Sequence, residues 1–533
     1  MQKHSKNKHR GKSRWQNANT RIPESVSTHI TNLFREFECE GSFAAEYLKS
    51  EYLSKYLDEG VVSGETRKRN AITKWLKAEK RNAITNRILE YRDPGYNILP
   101  RVSYSSFLRF ARRIISDVLG PLDDQIVLGS YSGGASTSRR RLVSSPANKF
   151  TGQADTTVAA SVFVDIIYRE APLLRQFGVF DYLNDVEGSV LFTVPKKTDI
   201  DRCACKEPDV NMYLQKGVGS HIRKRLRRFG LNLNDQSINR GLAAKGASDN
   251  SLATLDLSSA SDTITIGCVE ALLPTEWFLY LDDIRSHNVK VDGVYHRMEM
   301  FSSMGNGFTF ELESLLFWAL ARTTLYFEGV SGIVSVYGDD IICPSEGADM
   351  VSWVLTEFGF SVNPEKSFIT GPFRESCGGH YHLHEDVTPF YLKRKATHLT
   401  DVIRVANQLR QWAMADPARR YLLPSTYDMW TKLASFVPRD LWGGYDYAVD
   451  TILVSPHIPN KQLMRLSDEK SEPQVGSYLH WHNSNWKRTE EPDQPSRDPI
   501  NTSQRCRKRA VQKGAPNVSE LFLQEQQGES GPG

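Results

Sequence analysis

Ile333-Val334-Ser335-Val336-Tyr337-Gly338-Asp339-Asp340-Ile341-Ile342-Cys343 reads as two apolar, β-branched runs meeting at a polar tetrad. Such runs pair as strands when the residues between them can turn, and Gly338 supplies backbone freedom for that turn. The stretch predicts a hairpin with two carboxylates at its tip. Paired carboxylates between buried flanks are costly unless cations compensate them. The tip is therefore a candidate divalent-metal site, and hard oxygen donors favour magnesium or manganese over zinc. A solvated hairpin turn is the plain alternative, which the tetrad alone does not exclude.

Working upstream, Leu252-Ala253-Thr254-Leu255-Asp256-Leu257 is an apolar strand with one carboxylate inside it, followed by small residues up to Asp262. A lone Asp in such a strand calls for a partner. Asp256 and Asp339 are thus expected to be two strands' contributions to one metal pair, with Asp340 beside them. Paired ions of that kind stabilise the attacking and leaving oxygens of an in-line displacement. Between the acids, Ser302 to Glu313 is a glycine-containing loop that runs into an apolar helix. Asn306, Thr309 and Glu313, spaced i, i+3 and i+7, are expected on one face, turned either to a ribose and template strand or to one another. Downstream, Lys366 sits in a turn between apolar residues, where it could protonate a leaving group or be an ordinary surface lysine.

Cations gather in segments although the formal net charge of the 533 residues is only +4. Gly188 to Pro195 alternates like a strand and delivers Lys196, Lys197, Arg202 and Lys206, then Arg223, Lys224 and further arginines on a helix opening near Val210. This pattern suits a triphosphate or an RNA backbone; a basic surface is the alternative. Gly129 to Ser138 is rich in small residues and ends in Arg139, Arg140 and Arg141. It reads as an anion cradle for template phosphates or as a flexible loop, without the spacing of a P-loop. Lys-Arg-Asn-Ala-Ile-Thr occurs at Lys68 and again at Lys80, both inside a basic helix predicted from Glu65 to Arg92. Cys377, His380, His382 and His384 match no defensible zinc spacing.

Composition sets bounds. With 40% hydrophobic residues the chain can bury a substantial core, and seven cysteines without a CxxC pair suit reduced thiols in a cytoplasm. Met1 to Trp15 is basic without an apolar segment, so no secretory signal is expected there, and no apolar run approaches the roughly 20 residues of a membrane span.

An Asp-bearing strand, a Ser-Met-Gly loop and helix, a Tyr-Gly-Asp-Asp hairpin and a lysine turn, in that order, resemble the palm of template-dependent polymerases. Pro195-Lys196, Cys205-Lys206-Glu207-Pro208, Leu233-Asn234-Asp235-Gln236-Ser237, Asp256 to Asp262, Met304-Gly305-Asn306-Gly307 and Phe373 to Gly378 look like the catalytic β subunit of the RNA replicase of single-stranded RNA bacteriophages, the leviviruses. The resemblance implies an α+β right-hand polymerase that copies RNA from nucleoside triphosphates without a primer, releasing pyrophosphate. It assigns metal binding to Asp256, Asp339 and Asp340, ribose sensing to Asp262 and Asn306, triphosphate binding to Lys196 and Arg202, and the general acid to Lys366. Met304 and Glu313 depart from the Ser and Asn common among polymerases.

The same resemblance implies an N-terminal extension over 1–60, fingers over 61–250, a palm with an antiparallel sheet over 251–392, a thumb over 393–466 and a polar tail over 467–533. Thumb residues Trp412, Trp430 and Trp442 either stack on RNA bases or pack in a core. Implied partners are a single-stranded RNA template, the host elongation factors Tu and Ts and a ribosomal small-subunit protein, in the cytoplasm of an infected bacterium. A reverse transcriptase and a non-catalytic RNA-binding protein are the competing readings.

Overall fold

Apolar periodicity sets the order of elements in the computed structural model, which describes residues 18–455 apart from Glu36, Glu38, Glu40, Glu59 and 416–423. Helices α1 (Glu24–Thr31) and α2 (Phe43–Glu51) come first. Leu33, Phe34 and Phe37, whose spacing reads as one face of a helix, are instead buried in the turn and the irregular stretch that follow α1. The basic helix α3 (Gly64–Glu90) is capped by Ser63, whose Oγ accepts from the Thr66 N–H at 3.2 Å. It is no free rod. Ala71 and Trp75 pack on a small core with Cys203, Cys205, Val289 and Met300, and Arg67 is buried against Asp201.

After α4 (Tyr104–Leu119), strands β1 (Gly188–Pro195) and β2 (Asp201–Lys206) form a hairpin whose turn carries Lys196. Helices α5 (Asp209–Arg228) and α6 (Ser237–Asp249) lead to β3 (Leu252–Leu255), with Asn250 left-handed at φ 57° to end α6. Strands β4 (Asn288–Val291) and β5 (Val294–Arg297) extend the first hairpin to a four-stranded sheet, ordered β2-β1-β4-β5 with β1 parallel to β4.

Helix α7 (Thr309–Glu328) is apolar on nearly every side and is buried in the largest core, between α4, α5 and α8 (Ala348–Glu357). Against it stand β6 (Ser335–Tyr337) and β7 (Asp340–Pro344), which with β3 make an antiparallel sheet ordered β6-β7-β3. A second antiparallel sheet follows, with β8 (Phe373–Ser376) and β9 (Gly379–His382).

Helices α9 (Leu399–Ala415) and α10 (Pro424–Ser435), followed by a short strand pair (Trp442–Gly444 with Leu453–Val454), share one core with α1 and α2. Trp412 and Trp430 are buried in that core and Trp442 packs against it, which favours the packing alternative for all three. The basic start before Ala18, the end of the 393–466 segment and the 467–533 tail with Arg505, Arg507, Lys508 and Arg509 lie outside the described residues.

Candidate active site

Strand pairing brings the carboxylates together. Ile341 pairs with Leu255 across β7 and β3, and continuing that register by one residue sets Asp256 opposite Asp340. Tyr337 pairs with Asp340 across the hairpin, so Gly338 and Asp339 are the two-residue turn, with Gly338 at φ 62°. Asp339 is exposed at the tip, whereas Asp256 and Asp340 are half-buried.

Burial raises the Asp340 carboxyl to about 7, with the neighbouring Asp339 and Asp256 charges adding to it and hydrogen bonds from Cys377 opposing it. Ser376 Oγ donates to Asp340 Oδ1 at 3.3 Å. Asp256 is raised too, by burial first, against hydrogen bonding from Asn363 and the nearby Lys366 charge. A fourth acid stands behind them. Glu313 of α7 is buried, accepts from Ser261 Oγ at 3.0 Å, and is pushed up to about 8 by burial and then by Asp339. Among the described residues, no group of three or more His, Cys, Asp or Glu side chains forms a ready-made metal cluster.

A rim of cations faces these acids. Lys196 lies in the β1–β2 turn and Arg202 on an outward position of β2; both are exposed. Partial burial, then Arg202 and Lys74 of α3, lower the Lys196 pKa, and Lys74 and Arg202 also oppose the burial that raises Asp262 to about 6. Lys74 thus joins the rim, although in the sequence it was one more lysine on a basic helix. Asp262 is fixed through its backbone, whose carbonyl accepts from the buried Asn82 Nδ2 at 2.8 Å. Lys206 lies farther along β2, over the Phe192 ring at 5.4 Å. Lys366 is exposed in the turn beside Asp256.

Other expected contacts are occupied internally. Asn306 is not on the face of α7: it precedes the helix, and its Oδ1 accepts from the Phe308 N–H at 3.0 Å while Thr309 donates to the Ser303 carbonyl. Its loop needs glycine, because a β-carbon at Gly305, φ 113°, would stand 2.1 Å from the Cys205 carbonyl oxygen. Arg223 pairs with Glu311, donates to the Leu233 carbonyl and lies over Phe310, so it braces α5 against α7 rather than displaying charge. Lys224 beside it is exposed.

The Gly129–Ser138 loop is held in place through its carbonyls. The buried Lys149 ammonium donates to the carbonyls of Ser132 and Gly134 and cross-links the loop from within. Arg139 donates to the carbonyls of Asn148 and Thr151 and Arg141 to that of Gly133, while Arg140 is exposed. The histidines diverge: His380 is buried with Nδ1 at 2.7 Å from the Tyr47 hydroxyl, and His382 stacks on Phe43.

Known proteins are similar to this chain in sequence over most of its length. A family model described as RNA replicase, beta-chain matches residues 25–493. The RNA-directed RNA polymerase beta chain of Enterobacteria phage fr is 43% identical over 421 residues, covering 78% of this chain and 76% of that one. That of Escherichia phage MS2 is 42% identical over 419 residues with the same coverage, 78% and 76%. The RNA-directed RNA polymerase subunit beta of Escherichia virus Qbeta is 38% identical over 460 residues, covering 82% and 76%. Among solved structures, an insertion-loop deletion mutant of a human picorbirnavirus RNA-dependent RNA polymerase aligns with 79% of this chain and 92% of that one, at 14% identity and a TM-score of 0.39, too loose a likeness to build on. By class, then, the protein is an enzyme, an RNA-directed RNA polymerase of viral RNA replication. Within that class the chain belongs to the RNA replicase beta-chain family.

Proposed function

We propose that this polymerase joins nucleoside triphosphates to an RNA 3′ end by a two-cation mechanism, with Asp256, Asp339 and Asp340 as the residues that would hold magnesium or manganese. The observation that carries the proposal is the β3–β7 register, with Asp256 opposite Asp340 beside the turn that bears Asp339. The donor chemistry fits such ions: the three side chains offer only oxygens, and the charge of Asp339 raises the proton affinity of both neighbours, a repulsion that a cation relieves. When bound, the ions supply Lewis-acid chemistry that favours ionisation of the attacking 3′-hydroxyl and offsets charge on the departing pyrophosphate.

The chain's own groups orient the reactants. Lys196 and Arg202 receive the triphosphate as fixed positive charge on a strand end, which needs no rearrangement as the bond breaks. Lys366 gives a proton to the leaving pyrophosphate oxygen. Asp262 accepts from the ribose 2′-hydroxyl. In the same reading, residues 61–250, 251–392 and 393–466 act as fingers, palm and thumb, synthesis starts without a primer, and the host factors Tu and Ts and a ribosomal small-subunit protein join the chain in the bacterial cytoplasm.

Replacing Asp339 by Asn is expected to abolish nucleotide incorporation on an RNA template while RNA binding persists; synthesis retained by that variant overturns the proposal. Purification from an infected host tests the partners.

A further inference from the structure

Beside Asp256 the chain departs from regular pairing. Segment 361–368 runs antiparallel to β3 and is bridged to it at two points, Thr254 with Phe368 and Leu257 with Val362. Three steps along one side, Thr254 to Leu257, face six along the other, Val362 to Phe368. The second strand therefore bows outward opposite Asp256, a bulge of the kind that re-aims side chains at sites. Asn363 closes its near end. Its Nδ2 donates to Asp256 Oδ2 at 3.0 Å, its backbone N–H donates to the Asp256 carbonyl at 2.8 Å, and its Oδ1 accepts from the Glu365 N–H at 3.2 Å. Its carbonyl also accepts from the Lys366 N–H at 3.2 Å.

We propose that Asn363 is a positioning residue for the polymerase reaction: its amide N–H holds one carboxylate oxygen of Asp256 so that the other faces the cation site, while its two carbonyls shape the turn that carries Lys366. This inference rests on the function proposed above. An amide suits the task because it donates to the carboxylate and accepts from the turn at once, which neither an acid nor a hydroxyl does over the same reach. A carboxylate tied by one hydrogen bond loses rotational freedom, and partners that orient metal-holding groups typically matter by about 10–100-fold in metal affinity. One side chain thereby links the orientation of the acid to the location of the lysine.

The test is Mn2+ binding to the full-length chain, followed by the loss of the free-ion electron paramagnetic resonance signal, alongside steady-state incorporation. Asn363→Ala is expected to weaken Mn2+ affinity by about tenfold or more and to raise the Mn2+ needed for half-maximal kcat, with KM for nucleotide held within about twofold. Asn363→Ser, whose hydroxyl still accepts from the Glu365 N–H but is too short for Asp256, is expected to lose the same affinity. It serves as the folded control if the Ala variant unfolds. Unchanged Mn2+ affinity in either folded variant overturns the inference. Wild-type Mn2+ binding that survives Asp256→Asn overturns the proposed function itself, so the two failures are separable.

Discussion

Gly338 has no spare room: a β-carbon there would meet the Phe310 ring at 2.7 Å and Glu313 Oε1 at 3.1 Å, on a backbone already left-handed. Gly338→Ala is expected to destabilise the protein by about 1–3 kcal/mol, seen as a lower denaturant midpoint, and to reduce kcat because the displaced turn carries Asp339. Asp262 makes a different prediction. If its carboxylate accepts from the ribose 2′-hydroxyl, Asp262→Ala lowers the preference for ribonucleotides over deoxyribonucleotides by at least about tenfold in kcat/KM. An unaltered ratio in competition assays removes that role. At this scale the sequence is informative where a residue type is costly to bury or unusual in its setting, as for Asp256. It is silent on Asn363 and Lys149, whose work depends on partners distant in the chain.

Helix α3 shows how an element with a charged composition can be structural. Arg67 pairs with Asp201 at 3.3 Å with both side chains almost wholly enclosed, and Asn70 and Asn82, equivalent positions of the repeated hexapeptide, donate to the carbonyls of Asp199 and Asp262. Arg67→Ala leaves Asp201 buried without its cation and is expected to cost about 3–5 kcal/mol, measured as loss of thermal stability. The β8–β9 hairpin yields a pH prediction. Burial, then the Lys55 and Lys366 charges, push the His380 ring down to about 4. Glu375 lies 3.4 Å from Nε2 and would favour the imidazolium, but enclosure of the ring and the two lysines outweigh it. The unfolded ring, with a pKa of about 6.5, takes up a proton that the folded one refuses. Its contribution is therefore complete above that value and is lost as pH falls towards about 4. Denaturant midpoints are expected to drop across this window, with a shallower slope in His380→Gln.

Over the whole molecule, the first helices and the last described ones are folded as one body. Ile30, Phe34, Leu48 and Tyr52 pack in one core with Val402, Leu409, Trp412 and Leu433, and the Ser27 hydroxyl donates to the Ala396 carbonyl. Deleting residues 1–60 is expected to expose this core and render 393–455 sensitive to limited proteolysis; resistance equal to wild type would show that the two ends fold independently. The strands and helices that carry the acids, the order of the acidic stretches and the turn at Gly338 followed from the sequence, because alternation, apolar runs and glycine act through local backbone preference. Tertiary structure alone decided that Asp256 stands across from Asp340, that Asn363 holds it, that Arg223 and Lys149 are turned inward, and that Asn306 precedes its helix. Those outcomes depend on which distant groups satisfy one another's hydrogen bonds and charges when surfaces close, and no local pattern encodes that choice.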